Sequence, residues 1–169
     1  RNGIPHDRKV ILNVGRIDPQ KNQLALLAVM PELLRKHPDV HLVLIGPVTV
    51  EAYGMELLDR INSSSLYNNV SVIPGIPGGS KDLVDAYHAA DIFCLPSRHE
   101  PFGIVVLEAW AAGLPVVAAR VGGIPSFTQD GVDVLHADAA EPKSFGKAID
   151  RLLSDPALAK KIAGNGKDK

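Results

Sequence analysis

The sequence predicts an α/β fold: a parallel sheet of about six strands with helices on both faces. Three observations carry this. Short apolar runs recur along the chain without polar alternation, as strands buried on both faces require. Stretches with helical spacing separate them. The loops that follow the apolar runs, at 15–22, 46–50, 74–79, 97–103 and 120–125, all carry glycine.

Residues 9–15 (KVILNVG) form an apolar run ending in glycine and read as the first buried strand. Residues 22–37 place Leu24, Leu27, Ala28, Pro31 and Leu34 along one side of a helix, with Asn22 at its N-cap. Pro31 inside that pattern predicts a kink or a break into two helices. Residues 40–46 (VHLVLIG) read as the second strand, and residues 51–66, with Met55, Leu58 and Ile61, as the second helix. A third strand at 70–73 leads into the loop 74–79. Ser80 then caps a helix through Ala90, with Leu83, Ala86 and Tyr87 inward. The fourth strand follows Asp91, at 92–96. After a polar loop, residues 103–112 read as an almost wholly apolar helix closed by Gly113. Residues 115–119 form the fifth strand, 121–125 a glycine loop with a short helical turn after it, and 132–136 a sixth strand. Helices at 141–153 and 156–165 close the chain.

Right-handed crossovers put the carboxyl ends of all these strands on one edge, where ligands bind in such sheets. All the glycine-bearing loops fall on that edge.

The length suits one domain spanning residues 1–169 with a real core. Hydrophobic residues make up 46% and charged residues 22%, the balance of an ordinary soluble globular protein. Aromatic residues are only 5%, so the core must be mostly aliphatic. The net charge of −1, from 18 basic and 19 acidic side chains, gives no case for nucleic acid or an acidic membrane surface as the main partner. Any anion site must be local. Between residues 102 and 119 the only ionisable side chain is Glu108, and the stretch is long enough to span a bilayer. Gly113, Leu114 and Pro115 interrupt it and a carboxylate sits in its middle, so it reads as a buried helix and a buried strand. Residues 1–8 are polar and show no signal peptide. Without an initiator methionine, the chain reads as a piece of a longer protein. Cys94, the one cysteine, lies in an apolar run. It reads as a buried small hydrophobe in a reducing, cytoplasmic compartment.

Three loop clusters can carry chemistry. In Gly15-Arg16-Ile17-Asp18-Pro19-Gln20-Lys21-Asn22, two cations five residues apart lie between a strand and a helix. They either converge on one anion, helped by the helix start, or are solvated turn charges. In Ser97-Arg98-His99-Glu100-Pro101-Phe102-Gly103-Ile104, glycine permits close approach of a ligand to a helix start whose free amides favour a phosphate. Glu100 beside it either binds sugar hydroxyls or is solvated. Glu108, one turn and a half into an apolar helix, reads as a buried carboxylate. It needs partners, either vicinal hydroxyls of a ligand or a core amide or arginine. In Val121-Gly122-Gly123-Ile124-Pro125-Ser126 and in 74–79, the glycines are adaptable loop residues or plain turn residues.

The six histidines (6, 37, 41, 88, 99 and 136) are scattered without ligand spacing, and there is no Asp-x-Asp pair, so no metal site is expected. The P-loop, the Gly-x-Ser-x-Gly elbow and the Gly-x-Gly-x-x-Gly dinucleotide fingerprint are missing too.

Taken in order, VGRIDPQKN at 14–22, AYHAADIFCLPSRHEPFGIVVLEAWAAGLPVVA at 86–118 and VGGIP at 121–125 resemble the retaining nucleotide-sugar glycosyltransferases of GT-B architecture. These are the group-one enzymes, related to sucrose-phosphate and glycogen synthases. The resemblance covers nearly the whole chain. Glu100 and Glu108, with seven residues between them, match its hallmark. It implies a Rossmann-like, carboxy-terminal, donor-binding half of a GT-B fold. The donor would be a UDP-, GDP- or ADP-linked sugar, with no cofactor and no metal. The amino-terminal acceptor-binding domain would be absent from this chain, and so would the closing helix that returns to it.

The resemblance implies catalytic roles for Arg16, Lys21 and Glu100. Arg16 and Lys21 would hold the donor diphosphate beside Gly15. Glu100 would face the transferred sugar, with Pro101, Phe102, Gly103 and Ile104 around it supplying backbone amides. Glu108 would bind the ribose, and backbone near Ile76 the base. It also implies front-face chemistry with retention. Ser126 stands where many relatives have glutamate, and Asp133 where glycine is common. A stand-alone nucleotide-sugar binding or regulatory module is the alternative reading.

Overall fold

The computed structural model describes residues 4, 5 and 7–169; residues 1–3 of the polar start and His6 lie outside them. The β-branched and leucine-rich runs become six strands: β1 (Lys9–Val14), β2 (Val40–Ile45), β3 (Val70–Ile73), β4 (Ile92–Leu95), β5 (Val116–Ala119) and β6 (Leu135–Ala137). Among the described residues, seven helices alternate with or follow them: α1 (Gln23–Lys36), α2 (Glu51–Ser63), α3 (Lys81–His88), α4 (Ile104–Ala111), α5 (Ile124–Phe127), α6 (Pro142–Ser154) and α7 (Pro156–Lys167). All strand pairs are parallel, in the order β3-β2-β1-β4-β5-β6. The predicted α/β class, with its Rossmann-like sheet covered on both faces, is the observed one.

Successive strand residues point to opposite faces, so each strand feeds two cores. Ile11, Leu42, Leu44, Ile92, Cys94 and Val117 pack with residues of α1, α2, α6 and α7. Val10, Leu12, Val43, Phe93, Leu95 and Val116 pack with residues of α3 and α4. Burial keeps the Cys94 thiol protonated by pushing its pKa up.

Several local expectations need correction. Helix α1 runs unbroken past Pro31, because its apolar face stays anchored by Leu26, Leu27, Val29, Met30 and Leu33. Asn22 occupies the N-cap position in a left-handed conformation (φ 57°), but its side chain caps nothing. Instead it donates to the carbonyls of Pro96 and Ala139. Helix α2 stops at Ser63, short of residue 66. Met55 and Leu58 lie on its exposed side, and Tyr53, Leu57 and Ile61 on its buried one. Strand β6 is shorter and later than 132–136. Residues 129–134 form a turn around the buried Asp133, whose carboxylate accepts from the Gln129 amide. Ser80 does cap α3, accepting from the Leu83 amide at 3.3 Å, and Gly113 does close α4 at φ 76°. The 102–119 stretch resolves into α4 and β5. No helix among the described residues is long and apolar enough to cross a membrane.

Candidate donor-binding site

The strand order changes direction between β1 and β4, and the loops after these two strands stand side by side at the carboxyl edge. The loop after β1 is zipped to the loop after β2. The Ile17 amide donates to Pro47 O at 2.8 Å, and the Thr49 amide to Ile17 O at 3.2 Å. The approach is close enough that a Cβ on Gly46 would fall 2.0 Å from the Gly15 carbonyl oxygen. It is tied to the β4 loop as well, through the Arg98 amide to Gln20 O at 2.7 Å.

Asp18 organises the two cations. It is buried, accepts from the Lys21 amide at 2.9 Å and from the Thr49 hydroxyl at 3.3 Å, and sits 3.4 Å from an Arg16 guanidinium nitrogen. Arg16 reaches outward, with its side chain 54% exposed, and also touches Gln20. Lys21 turns inward. Its ammonium lies 2.6 Å from Glu100 Oε2, and the fully buried Ser97 hydroxyl donates to the same oxygen at 3.3 Å. Glu100 is therefore not a solvated loop carboxylate. It is a buried anion, neutralised from 79 residues away in the chain. A side chain at Gly15 would come into contact with the Lys21 stem.

Glu100 is held from behind by the loop after β5. The Gly123 amide donates to Glu100 O at 2.9 Å. A Cβ on Gly122 would meet that oxygen at 2.0 Å, and one on Gly123 would meet Pro101 O at 2.3 Å. The paired glycines are thus a close-packing requirement. Gly103, at φ 92°, carries the chain into α4 and has no room for a side chain beside Ile124. No side chain caps α4, and the amides of Ile104 and Val105 have no acceptor among the described residues. The rings of Phe102 and Phe127 stack at 5.7 Å. Pro101, Phe102 and Ile104 are exposed beside these amides.

Glu108 departs from expectation. It is exposed, on the outer side of α4 with Ile104 and Leu107, while Val106, Ala109 and Trp110 take the buried side. The apolar outer side of α4 made the whole helix look buried from sequence. Oε2 of Glu108 accepts from the Tyr87 hydroxyl at 2.7 Å, and Oε1 has no partner among the described residues. The carboxylate is neither desolvated nor consumed by protein donors.

Ile76 is half-buried in the loop after β3. It lines an apolar cavity of ≈ 440 Å³ with Leu12, Val43, Ile45 and Ile73. That cavity shares no lining residue with the Arg16, Lys21 and Glu100 cluster, so the structure does not unite Ile76 with it. Sequence reasoning placed Asp18 and Ser97 in the loop clusters but gave them no role, and read Tyr87 only as an inward residue of its helix. For Asp18 a signal existed: an Asp just ahead of a helix commonly accepts from the amide two or three residues on. Among the described residues, no group of three or more His, Cys, Asp or Glu side chains gathers to hold a metal ion.

A family model described as glycosyl transferases group 1 matches residues 1–169. The chain belongs to the group 1 glycosyltransferases. It is 36% identical over 156 residues to D-inositol 3-phosphate glycosyltransferase of Corynebacterium diphtheriae, covering 90% of this chain and 36% of that protein. Its fold matches Alr3699/HepE of Anabaena, solved in complex with UDP and glucose, with a TM-score of 0.88 and 27% identity; the match covers 96% of this chain and 43% of that one. It also matches the C-terminal domain of the group 1 glycosyltransferase LpcC of Francisella tularensis, with a TM-score of 0.86 and 28% identity over 95% of this chain and 83% of that one. This group 1 chain therefore has the Rossmann-like fold of GT-B carboxy-terminal domains, and spans about a third of the curated relative.

Proposed function

We propose that this chain is the donor-binding domain of a retaining, metal-independent glycosyltransferase. Such an enzyme moves a sugar from a nucleoside diphosphate sugar to an acceptor held by a preceding domain. The observation that supports this reading is the Lys21–Glu100 pair beside the uncapped start of α4, with Arg16 joined to the Lys21 loop through Asp18, where the loops after β1 and β4 lie side by side. Arg16, mostly exposed, closes on the diphosphate from outside. Lys21 carries three donors, so it can bond a phosphate oxygen while keeping Glu100. The first amides of α4 add donors and a partial positive charge. Glu100 accepts from hydroxyls of the transferred sugar, and Glu108 from the ribose. Backbone near Ile76 meets the base.

In front-face transfer, the bond between the anomeric carbon and the diphosphate oxygen breaks and the acceptor oxygen bonds on the same face. The acceptor's proton passes to the departing diphosphate. Arg16 and Lys21 lower the barrier by stabilising the negative charge that grows there. UDP bound to HepE makes a UDP-sugar the first donor to try. A cytoplasmic location belongs to the same reading, since one cysteine can form no internal disulfide.

The test is transfer from UDP-, GDP- and ADP-glucose by the chain joined to its preceding domain, with the anomeric configuration of the product read by NMR. Retained configuration that survives EDTA is the expected outcome. Inversion, or loss of transfer on chelation, contradicts the mechanism. Binding without transfer would leave a regulatory module.

A further inference from the structure

We propose that Tyr87 is a positioning residue that lets this site distinguish ribose from deoxyribose, by holding the Glu108 carboxylate through its hydroxyl. The inference rests on the reading of Glu108 as the ribose ligand. Tyr87 lies in the last turn of α3, its ring buried (5% exposed) and packed against Phe93 of β4 at 5.7 Å between centroids. Its hydroxyl crosses to α4 and donates to Glu108 Oε2 at 2.7 Å. Burial, and then the bond to Glu108, push the phenol pKa up, so the hydroxyl remains a donor throughout the neutral range.

Glu108 has no other anchor among the described residues. Its helix neighbours on the outer side, Ile104 and Leu107, offer no donor. An untethered glutamate on a helix surface would spread over several rotamers, and binding would have to collect them. The tyrosine is fixed by the core and not by any ligand, so it orders the carboxylate in advance. Oε1 and the remaining capacity of Oε2 stay unfilled on an exposed residue. Two vicinal hydroxyls meet acceptors already in place. A guest lacking one hydroxyl leaves part of that fixed capacity unfilled.

Isothermal titration with UDP, GDP and ADP identifies the tightest of the three, which is then compared with its 2′-deoxy counterpart. The proteins are the unmodified chain, Tyr87→Phe, Glu108→Gln and the double variant. The unmodified chain should favour the ribo form on the order of tenfold. Tyr87→Phe keeps the ring and should weaken the ribo form about three- to tenfold, with the deoxy form changed by less than about twofold. It should add nothing in the Glu108→Gln background. Glu108→Asp, which draws the carboxylate back from the hydroxyl, should also lose the preference with Tyr87 untouched. An intact preference in Tyr87→Phe, or equal loss for both forms, overturns the inference; if Glu108→Gln still abolishes the preference, the reading of Glu108 stands. A preference untouched by Glu108→Gln, or no binding of any of the three by the unmodified chain, overturns that reading and the inference together.

Discussion

Lys21 and Glu100 stand 2.6 Å apart with side chains 17% and 8% exposed, so each limits the cost of the other's burial. Removing one strands the other. Lys21→Ala should therefore destabilise the fold by about 2–4 kcal/mol, while the double change Lys21→Met with Glu100→Gln should cost less than the two single changes summed. Denaturant titration of the three variants measures this. Arg16 is mostly exposed, and Arg16→Ala should leave stability within about 0.5 kcal/mol. At this scale the sequence made the membership of the cluster legible, because strand-end loops with cations, glycine and carboxylates share one edge. The pairing was not legible, since Glu100 lies 79 positions after Lys21 and only the β1–β4 neighbourhood joins them. Nor was the exposure of Glu108, because the outer residues of α4 are as apolar as the inner ones.

Two glycines of α7 carry a test at the scale of the element. Gly166 lies against Trp110 of α4, where an added Cβ would come within 2.3 Å of the indole ring, while nothing lies within 4 Å of a Cβ at Gly164. Gly164→Ala should thus stabilise by about 0.5–1 kcal/mol through helix propensity alone. Gly166→Ala should destabilise by about 1–3 kcal/mol despite the same propensity gain, because it separates α7 from α4. Thermal unfolding of both variants decides between propensity and packing. The long apolar elements were legible from spacing: β1 to β5 fall where the runs lie, and α6 and α7 within a residue or two of their predicted ends. The misses have physical causes. Pro31 did not break α1 because tertiary packing on one face outweighs a lost backbone bond. Strand β6 slid from 132–136 to Leu135–Ala137 because Asp133 is spent holding a turn.

On the scale of the whole molecule, two histidines make stability depend on pH. Burial, with Arg8 adding to it, lowers the pKa of His41; burial lowers that of His136, with Asp130 opposing. Both are held neutral in the fold, while the unfolded chain takes up protons below a pH of about 6.5. Stability is therefore fully present above that value and falls as the pH drops from it towards the folded values. Denaturation midpoints should be lower at pH 5.5 than at pH 7.5, and His41→Gln should shrink the difference. The sheet order sets β1 beside β4, and everything the site offers an anion follows from that neighbourhood.

The most direct test of that claim is calorimetric titration of UDP, GDP and ADP into the unmodified chain, Arg16→Ala and Glu108→Gln, each at low and moderate salt. At least one nucleotide should bind. Arg16→Ala should weaken it and reduce its salt dependence. Glu108→Gln should cost about 1–3 kcal/mol of affinity at either salt. Equal affinity for the unmodified chain and both variants, or no binding at all, would contradict it.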